Sequence, residues 1–446
     1  MSSSDGTSKT SIPAWKWIVV VLMLFATVIN YMDRQALASV SSHIKRDFAL
    51  KEEGYGTLEA WFGYSYAVFL IVAGFLADRW SLRWLYACAL MVWSVAGFAT
   101  GFVGTLLQLQ ICRAVLGMGE AFNWPVAVGT VRRIIPRESQ AFANGVFNSG
   151  MTFGAVLTPV MVLLMVHKDT GEGWRSLFRI VGAAGTLWVI FWLWSTRGER
   201  AKEMTPAPKV DDVAVPFTDV FRLRTFWITM AIGIAVNLAW HLYRVWLPRH
   251  LVVDLKFDDA QLQYLLMGYF LAADLGSIIF GFFTKKLVTA RRPVEKARKI
   301  IALTAALVCL MGTPAIFQPG RAVMVPLYCI VGAGIMGVFA MFYSFVQDIH
   351  PAHTSKCLGL IGATVWFITS KLHPLIGRFA DTHDTPIGKL APILIAAGAV
   401  PLFAALFAQT WPEKGGDELV VRPEMSPVTP PLSPETGPAT PQAPPA

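Results

Sequence analysis

The sequence predicts an all-α membrane protein, with twelve transmembrane helices arranged as two pseudo-symmetric halves of six. Three observations support this. The 446 residues are 54% hydrophobic and only 15% charged, with a mean hydropathy of +0.51, whereas soluble globular proteins average about 25% charged residues. Apolar runs of roughly 20 residues, long enough for a helix to cross a bilayer core, recur along the chain. Lys and Arg concentrate on alternate connecting segments, on the same side as the N-terminus. That is the positive-inside pattern, and it predicts a multi-pass membrane protein with both termini cytoplasmic.

Residues 1–16 form a polar N-terminal segment. The first apolar run, 17–40, is too long for the core of a signal peptide and lacks a small-residue cleavage site, so it is taken as an uncleaved first span. Further spans at 58–77, 84–103, 106–130, 141–166 and 176–195 complete an N-terminal half over 17–195. Residues 196–224 turn charged and Pro-bearing ("TRGERAKEMTPAPKVDD"), as a cytoplasmic linker would. The C-terminal half, 225–410, holds spans at 225–247, 262–284, 300–317, 322–346, 357–380 and 390–410. From 411 to 446 the chain is polar and rich in proline, a composition that buries no core and predicts a disordered tail.

The net charge of +9 follows from the loop bias, so nucleic acid is not an expected partner. The five cysteines lie in or beside apolar runs, and their spacing fits neither a disulfide framework nor a metal site. No enzyme signature stands out: HExxH, GxSxG, Walker A and CxxC patterns are all missing.

The halves echo each other at an offset of 207 residues. "GFLADRWSLRW" follows the second span and "GFFTKKLVTARR" the eighth, aligning Gly74 with Gly281. The first stretch, with Gly74, Asp78, Arg79 and Arg83, resembles the loop motif of major facilitator transporters, although Ser81 stands where glycine is usual. The resemblance implies a major facilitator fold, in which this loop gates by clamping helix ends through charge and helix dipoles.

Charge inside the spans is the most informative feature. Asp33, Arg34, Arg113, Glu120, Arg179, Arg244, Asp274 and Lys371 all fall in apolar runs. Each costs about 2.5–3.5 kcal/mol at a helix centre by insertion scales, so each should face a cavity or a partner. Arg113 and Glu120 are seven residues apart and share a helix face. Gly117 and Gly119 between them permit close approach of another helix, expected to be the first span. Asp33 and Glu120 are candidates for a proton relay, because a carboxyl group takes up a proton or forms an ion pair according to its surroundings. Arg34 and Arg113 either bind a carboxylate substrate or restrain those acids. A salt-bridge cluster that merely holds the N-terminal half together is the plainer alternative.

"NYMDR" in the first span and "RAVLGMGEAFNWP" in the fourth sharpen the resemblance. Together they are similar to the anion:cation symporter branch of the superfamily, and "ADLGSIIFG" in the eighth span resembles its bacterial hexuronate and aldonate symporters. The resemblance implies proton-coupled uptake, with Asp33 and Glu120 carrying protons and Arg34 and Arg113 binding the anion. It also implies no cofactor other than the proton as coupling ion, and partners limited to protons, a small organic anion such as a sugar acid, and the lipid bilayer. The protein is expected to be a monomer. Two acids can carry up to two protons per monoanion, which would make uptake electrogenic.

The C-terminal half adds weaker candidates. His241 aligns with Arg34 at the 207-residue offset, and Arg244 lies three residues further on. His241 either lines the cavity or packs a helix, while Arg244 and Lys371 either line it or snorkel outward. Tyr31, Trp124, Asn148 and Trp366 are candidates to meet sugar hydroxyls, or else pack. A major facilitator exporter or antiporter of another small molecule, or a non-transporting sensor built on the same fold, remains as an alternative. Against a drug antiporter, "GMTFGAVLTP" in the fifth span lacks the Gly-Pro pair usual there, and several basic groups would repel a cationic drug.

Overall fold

The computed structural model describes residues 12–167, 170–205, 217–317, 321–349 and 354–412. The predicted tail at 411–446 lies outside them beyond Pro412, as do 1–11 and the middle of the linker. Among the described residues there is no β-strand. The helices are α1 (Ala14–Ser39), α2 (Ser41–Asp47), α3 (Glu52–Arg79), α4 (Leu82–Thr100), α5 (Leu106–Glu120), α6 (Asn123–Ile134), α7 (Arg137–Met165) and α8 (Trp174–Ser195). After the short α9 (Glu199–Glu203) and a 3-10 turn at Phe217–Arg222 come α10 (Arg224–Val253), α11 (Asp259–Thr289) and α12 (Val294–Gly312). The last three are α13 (Arg321–Ile349), α14 (Thr354–Thr382) and α15 (Ala391–Gln409).

These helices cover all twelve predicted spans. Nine of the described helices are individually long and apolar enough to cross a membrane. The fourth span falls short because it is broken into α5 and α6. Pro125 supplies no N–H for the Ala121 carbonyl, and the Phe122 N–H tightens onto the Gly119 carbonyl at 3.3 Å. The break falls immediately after Glu120. Helix α12 starts on a charged turn (Glu295, Lys296, Arg298, Lys299), and α14 carries Lys371 and Arg378 along its length. Capping boxes at Thr105–Gln108 and Asp258–Gln261 satisfy the first N–H groups of α5 and α11.

All the helices belong to one compact unit, Met1–Trp411. The second helix of each half packs on the fifth of the other: α3 on α14, and α11 on α7. This reciprocity is the pseudo-symmetry that the 207-residue offset predicted. Small residues bring α3 and α14 close. A methyl group on Gly56 would come within 2.3 Å of the His373 carbonyl oxygen, and one on Gly377 within 2.3 Å of the Glu52 carbonyl oxygen. The fourth-span glycines behave differently from expectation. The backbone that closes on Gly117 belongs to Phe62 of α3, and Gly119 meets Trp93 of α4, so neither accommodates the first span.

One end of the bundle ties the halves together. The Glu52 carboxylate pairs with Arg249 of α10 and Lys45 of α2, and His43 Nε2 lies 3.0 Å from Asp259 Oδ2. Asp381, near the end of α14, accepts hydrogen bonds from the backbone N–H groups of Glu52 (3.0 Å) and Glu53 (2.8 Å). It thereby caps the N-terminus of α3 from the opposite half, where the helix dipole favours a negative charge.

Candidate functional site

Where the halves meet, six charged side chains are gathered, none more than 6% exposed: Asp33, Arg34, Glu59, Arg113, Glu120 and Arg244. Arg34 of α1 donates from Nε to Glu120 Oε2 at 2.5 Å. Arg113 of α5 does not use its shared face to pair with Glu120. Its Nη2 lies 3.6 Å from Glu59 Oε2 on α3, and Arg244 of α10 donates from Nη2 to the same oxygen at 3.1 Å. One carboxylate oxygen thus joins guanidinium groups from both halves.

Glu59 was not among the residues singled out from the sequence. It sits at the start of an apolar run, next to the acids of the preceding loop, where a carboxylate looks interfacial. The available signal was helical spacing: Tyr55, Glu59, Phe62 and Tyr66 follow at i, i+4, i+7 and i+11 and so form one stripe of α3. That stripe is the floor of the site. The Arg34 guanidinium lies 4.7 Å from the Tyr66 ring centroid, 5.3 Å from Phe62, 5.5 Å from Trp366 and 5.6 Å from Tyr31. Arg113 lies 4.6 Å from Phe62. Aromatic faces so close to cations help to offset the loss of water.

Many polar atoms here find no protein partner. They include both Asp33 oxygens, Arg34 Nη2, Glu59 Oε1, Glu120 Oε1, and the Nε and Nη1 atoms of both Arg113 and Arg244. Asp33 packs against Gly97 of α4, where a methyl group would come within 2.9 Å of Oδ1. Buried polar groups are normally satisfied. Unpaired donors and acceptors in such number set this cluster apart from a salt-bridge network whose only work is to hold helices together.

The other candidates divide. His241 is buried against Trp366, with ring centroids 4.2 Å apart and Nδ1 unpartnered, so the C-terminal half contributes both. Tyr31 and Trp124 stand 6.4 Å apart, Trp124 packs on Phe147, and the half-buried Asn148 has an unpartnered Oδ1. Arg244 points inward rather than snorkelling. Lys371 does not join the cluster: it is exposed on α14, flanked by the buried Ser370 and followed two residues later by the buried His373. Of the loop motif, Gly74 faces open space and Arg79 is exposed. Arg83 donates to Thr196 Oγ1 and to the Leu193 carbonyl, each at 3.2 Å, fastening the end of α8 within the same half. The Asp78 side chain lies outside the described residues.

Comparison with known proteins agrees with this architecture. The family model for the Major Facilitator Superfamily matches residues 23–374. The chain is 22% identical over 419 residues to the hexuronate transporter of Escherichia coli (strain K12), covering 88% of this chain and 94% of that one. It is 27% identical over 404 residues to the probable L-galactonate transporter of the same organism, covering 87% of each. Among solved structures, a bacterial homologue of the human lysosomal transporter Spinster, inward-facing and unoccupied, is similar with a TM-score of 0.68 and 20% identity. That match covers 90% of this chain and 95% of the other. With two reciprocal six-helix halves enclosing a charged site and a family model spanning most of both, the chain is a membrane transporter that belongs to the Major Facilitator Superfamily.

Proposed function

We propose that the protein is a proton-coupled symporter of a small organic monoanion, a sugar acid of the hexuronate or aldonate class. The observation that carries this is the buried cluster of three arginines and three carboxylates at the junction of the halves. Fully ionised, the six groups sum to zero charge. Adding a monoanion leaves one negative charge in a setting where it is costly, and one proton restores the balance. Asp33 is the acid of the cluster that no basic group contacts among the described residues, so a proton there breaks no ion pair. Glu120, held by Arg34, is the second member of the relay. The open donors of Arg113 and Arg244 suit the substrate carboxylate, because guanidinium binds carboxylate in a bidentate fork. Tyr31, Trp124, Asn148, His241 and Trp366 would surround the polyhydroxylated part. The names of the relatives support the substrate class.

The loops rich in Lys and Arg lie at the end opposite Glu52, which supports placing that end in the cytoplasm of the inner membrane. On that reading the tied end faces outward, and the structure is a state closed to the outside. Proteoliposomes decide the matter. Galacturonate or galactonate should accumulate when the outside is made acidic, and should not when a protonophore collapses the gradient. Accumulation indifferent to the gradient would rule out proton symport.

A further inference from the structure

The α3–α10 seam has two charged rungs. Glu52 meets Arg249 at the tied end, and about two turns deeper Glu59 meets Arg244. Between them Tyr55 packs edge-on against Trp246, with centroids 5.8 Å apart. Glu59 and Arg113 belong to the same half, whereas Arg244 belongs to the other. Opening this end must carry Arg244 away from Glu59 and leave the Glu59–Arg113 pair intact. Closing it dries Arg244 again, because the residue is only 3% exposed in the closed seam.

We infer that Glu59 is an internal stand-in for the substrate carboxylate, neutralising Arg244 whenever the empty carrier passes through its closed state. This rests on the symporter reading above. A loaded carrier brings its own carboxylate to Arg244, which needs no help from Glu59. An empty carrier has no such anion and must still change sides to start another cycle. Without Glu59, the buried guanidinium groups of Arg113 and Arg244 would meet across the seam with no directly paired carboxylate among the described residues, and a buried charge stripped of its partner is strongly destabilising. One shared oxygen at 3.1 and 3.6 Å meets that need. It leaves the Nε and Nη1 atoms of both arginines unpaired, donors that a substrate carboxylate can take once the seam has opened. Glu59 therefore acts on the return of the empty carrier and leaves the loaded step to the substrate.

Two assays on the same proteoliposomes separate these steps. Net uptake requires the empty return, whereas exchange of external labelled anion for internal unlabelled anion does not. With galacturonate and L-galactonate as probes, Glu59→Gln should lower net uptake by at least about tenfold more than it lowers exchange. Glu59→Asp keeps the charge on a shorter arm, and its ratio of net uptake to exchange should fall between those of wild type and Glu59→Gln. The aspartate variant also serves if the glutamine variant fails to fold, as judged by thermal melting. A ratio of net uptake to exchange equal to the wild-type ratio in either folded variant overturns the role of Glu59 and leaves the symporter reading standing. Parallel loss of both activities in a folded variant overturns it too, because it would make Glu59 a clamp that the binding site requires. Wild-type protein that moves neither probe overturns the symporter reading and this inference with it.

Discussion

At the scale of single residues, the two acids of the proposed relay, Asp33 and Glu120, should respond differently to neutralisation. Asp33→Asn removes no ion pair, so the variant should fold with nearly wild-type melting, keep exchange, and lose gradient-driven accumulation. Glu120→Gln strands the buried Arg34, and breaking a buried pair from one side costs about 3–5 kcal/mol, so its melting temperature should fall well below that of Asp33→Asn. Equal melting of the two would contradict the pairing seen here. Arg113→Ala should weaken anion binding by about 2–5 kcal/mol in calorimetric titration, with Arg113→Lys recovering only part because the fork is lost. Undiminished affinity would remove Arg113 from the site. The charged residues of the first and fourth spans were legible because charge in an apolar run demands an explanation. Glu59 was not legible, since its meaning comes from Arg113 and Arg244 on two other helices. Omitting it left the cluster with one excess positive charge, whereas including it brings the count to zero.

At the scale of elements, periodicity and run length located every span, but sequence did not show the break between α5 and α6. Pro159, Pro248, Pro326, Pro374 and Pro401 all sit inside unbroken helices. At Pro125 the backbone instead tightens just upstream, where the Phe122 N–H bonds the Gly119 carbonyl. The partners of Gly117 and Gly119 were equally hidden, because a small residue reports that some helix comes close without saying which. Junctions outside the membrane yield a pH prediction. Asp254, just beyond α10, accepts from the backbone N–H groups of Lys389 (2.9 Å) and Leu390 (3.0 Å) and lies 2.7 Å from His250 Nδ1. Burial opposes its charge, but these hydrogen bonds outweigh it and hold the carboxyl below its usual range. A depressed carboxyl stabilises the fold above its unfolded value of about 3.9, and the benefit is lost as pH falls through the folded value. Asp254→Asn should therefore melt earlier than wild type at pH 7, with the gap closing below about pH 4. A gap that persists in acid would mean the contact acts by packing alone.

At the scale of the whole molecule, charge balance bears on the stoichiometry of the proposed symport. The two acids recognised from sequence favoured two protons per monoanion and electrogenic uptake; in the proposed symport the neutral six-group cluster points instead to one proton, which would make uptake electroneutral. At a fixed pH gradient, a potassium–valinomycin potential of −100 mV should leave monoanion accumulation unchanged. A second proton would add ~2.3 kcal/mol of driving force, roughly 50-fold in accumulation. The two-half plan was legible through the echo between Gly74 and Gly281. Which end is closed was not, because one sequence encodes both states and their difference is small beside the energy of either. The closed seam also supplies an optical reporter. Trp246 is fully buried in it, its indole N–H donating to His373 Nδ1 at 3.1 Å and its ring facing Tyr55 of the other half. Parting the halves at this end would wet that indole and shift its emission to longer wavelength. The difference spectrum between wild type and Trp246→Phe should then redden when conditions open the seam, and should stay fixed if α3 and α10 never separate.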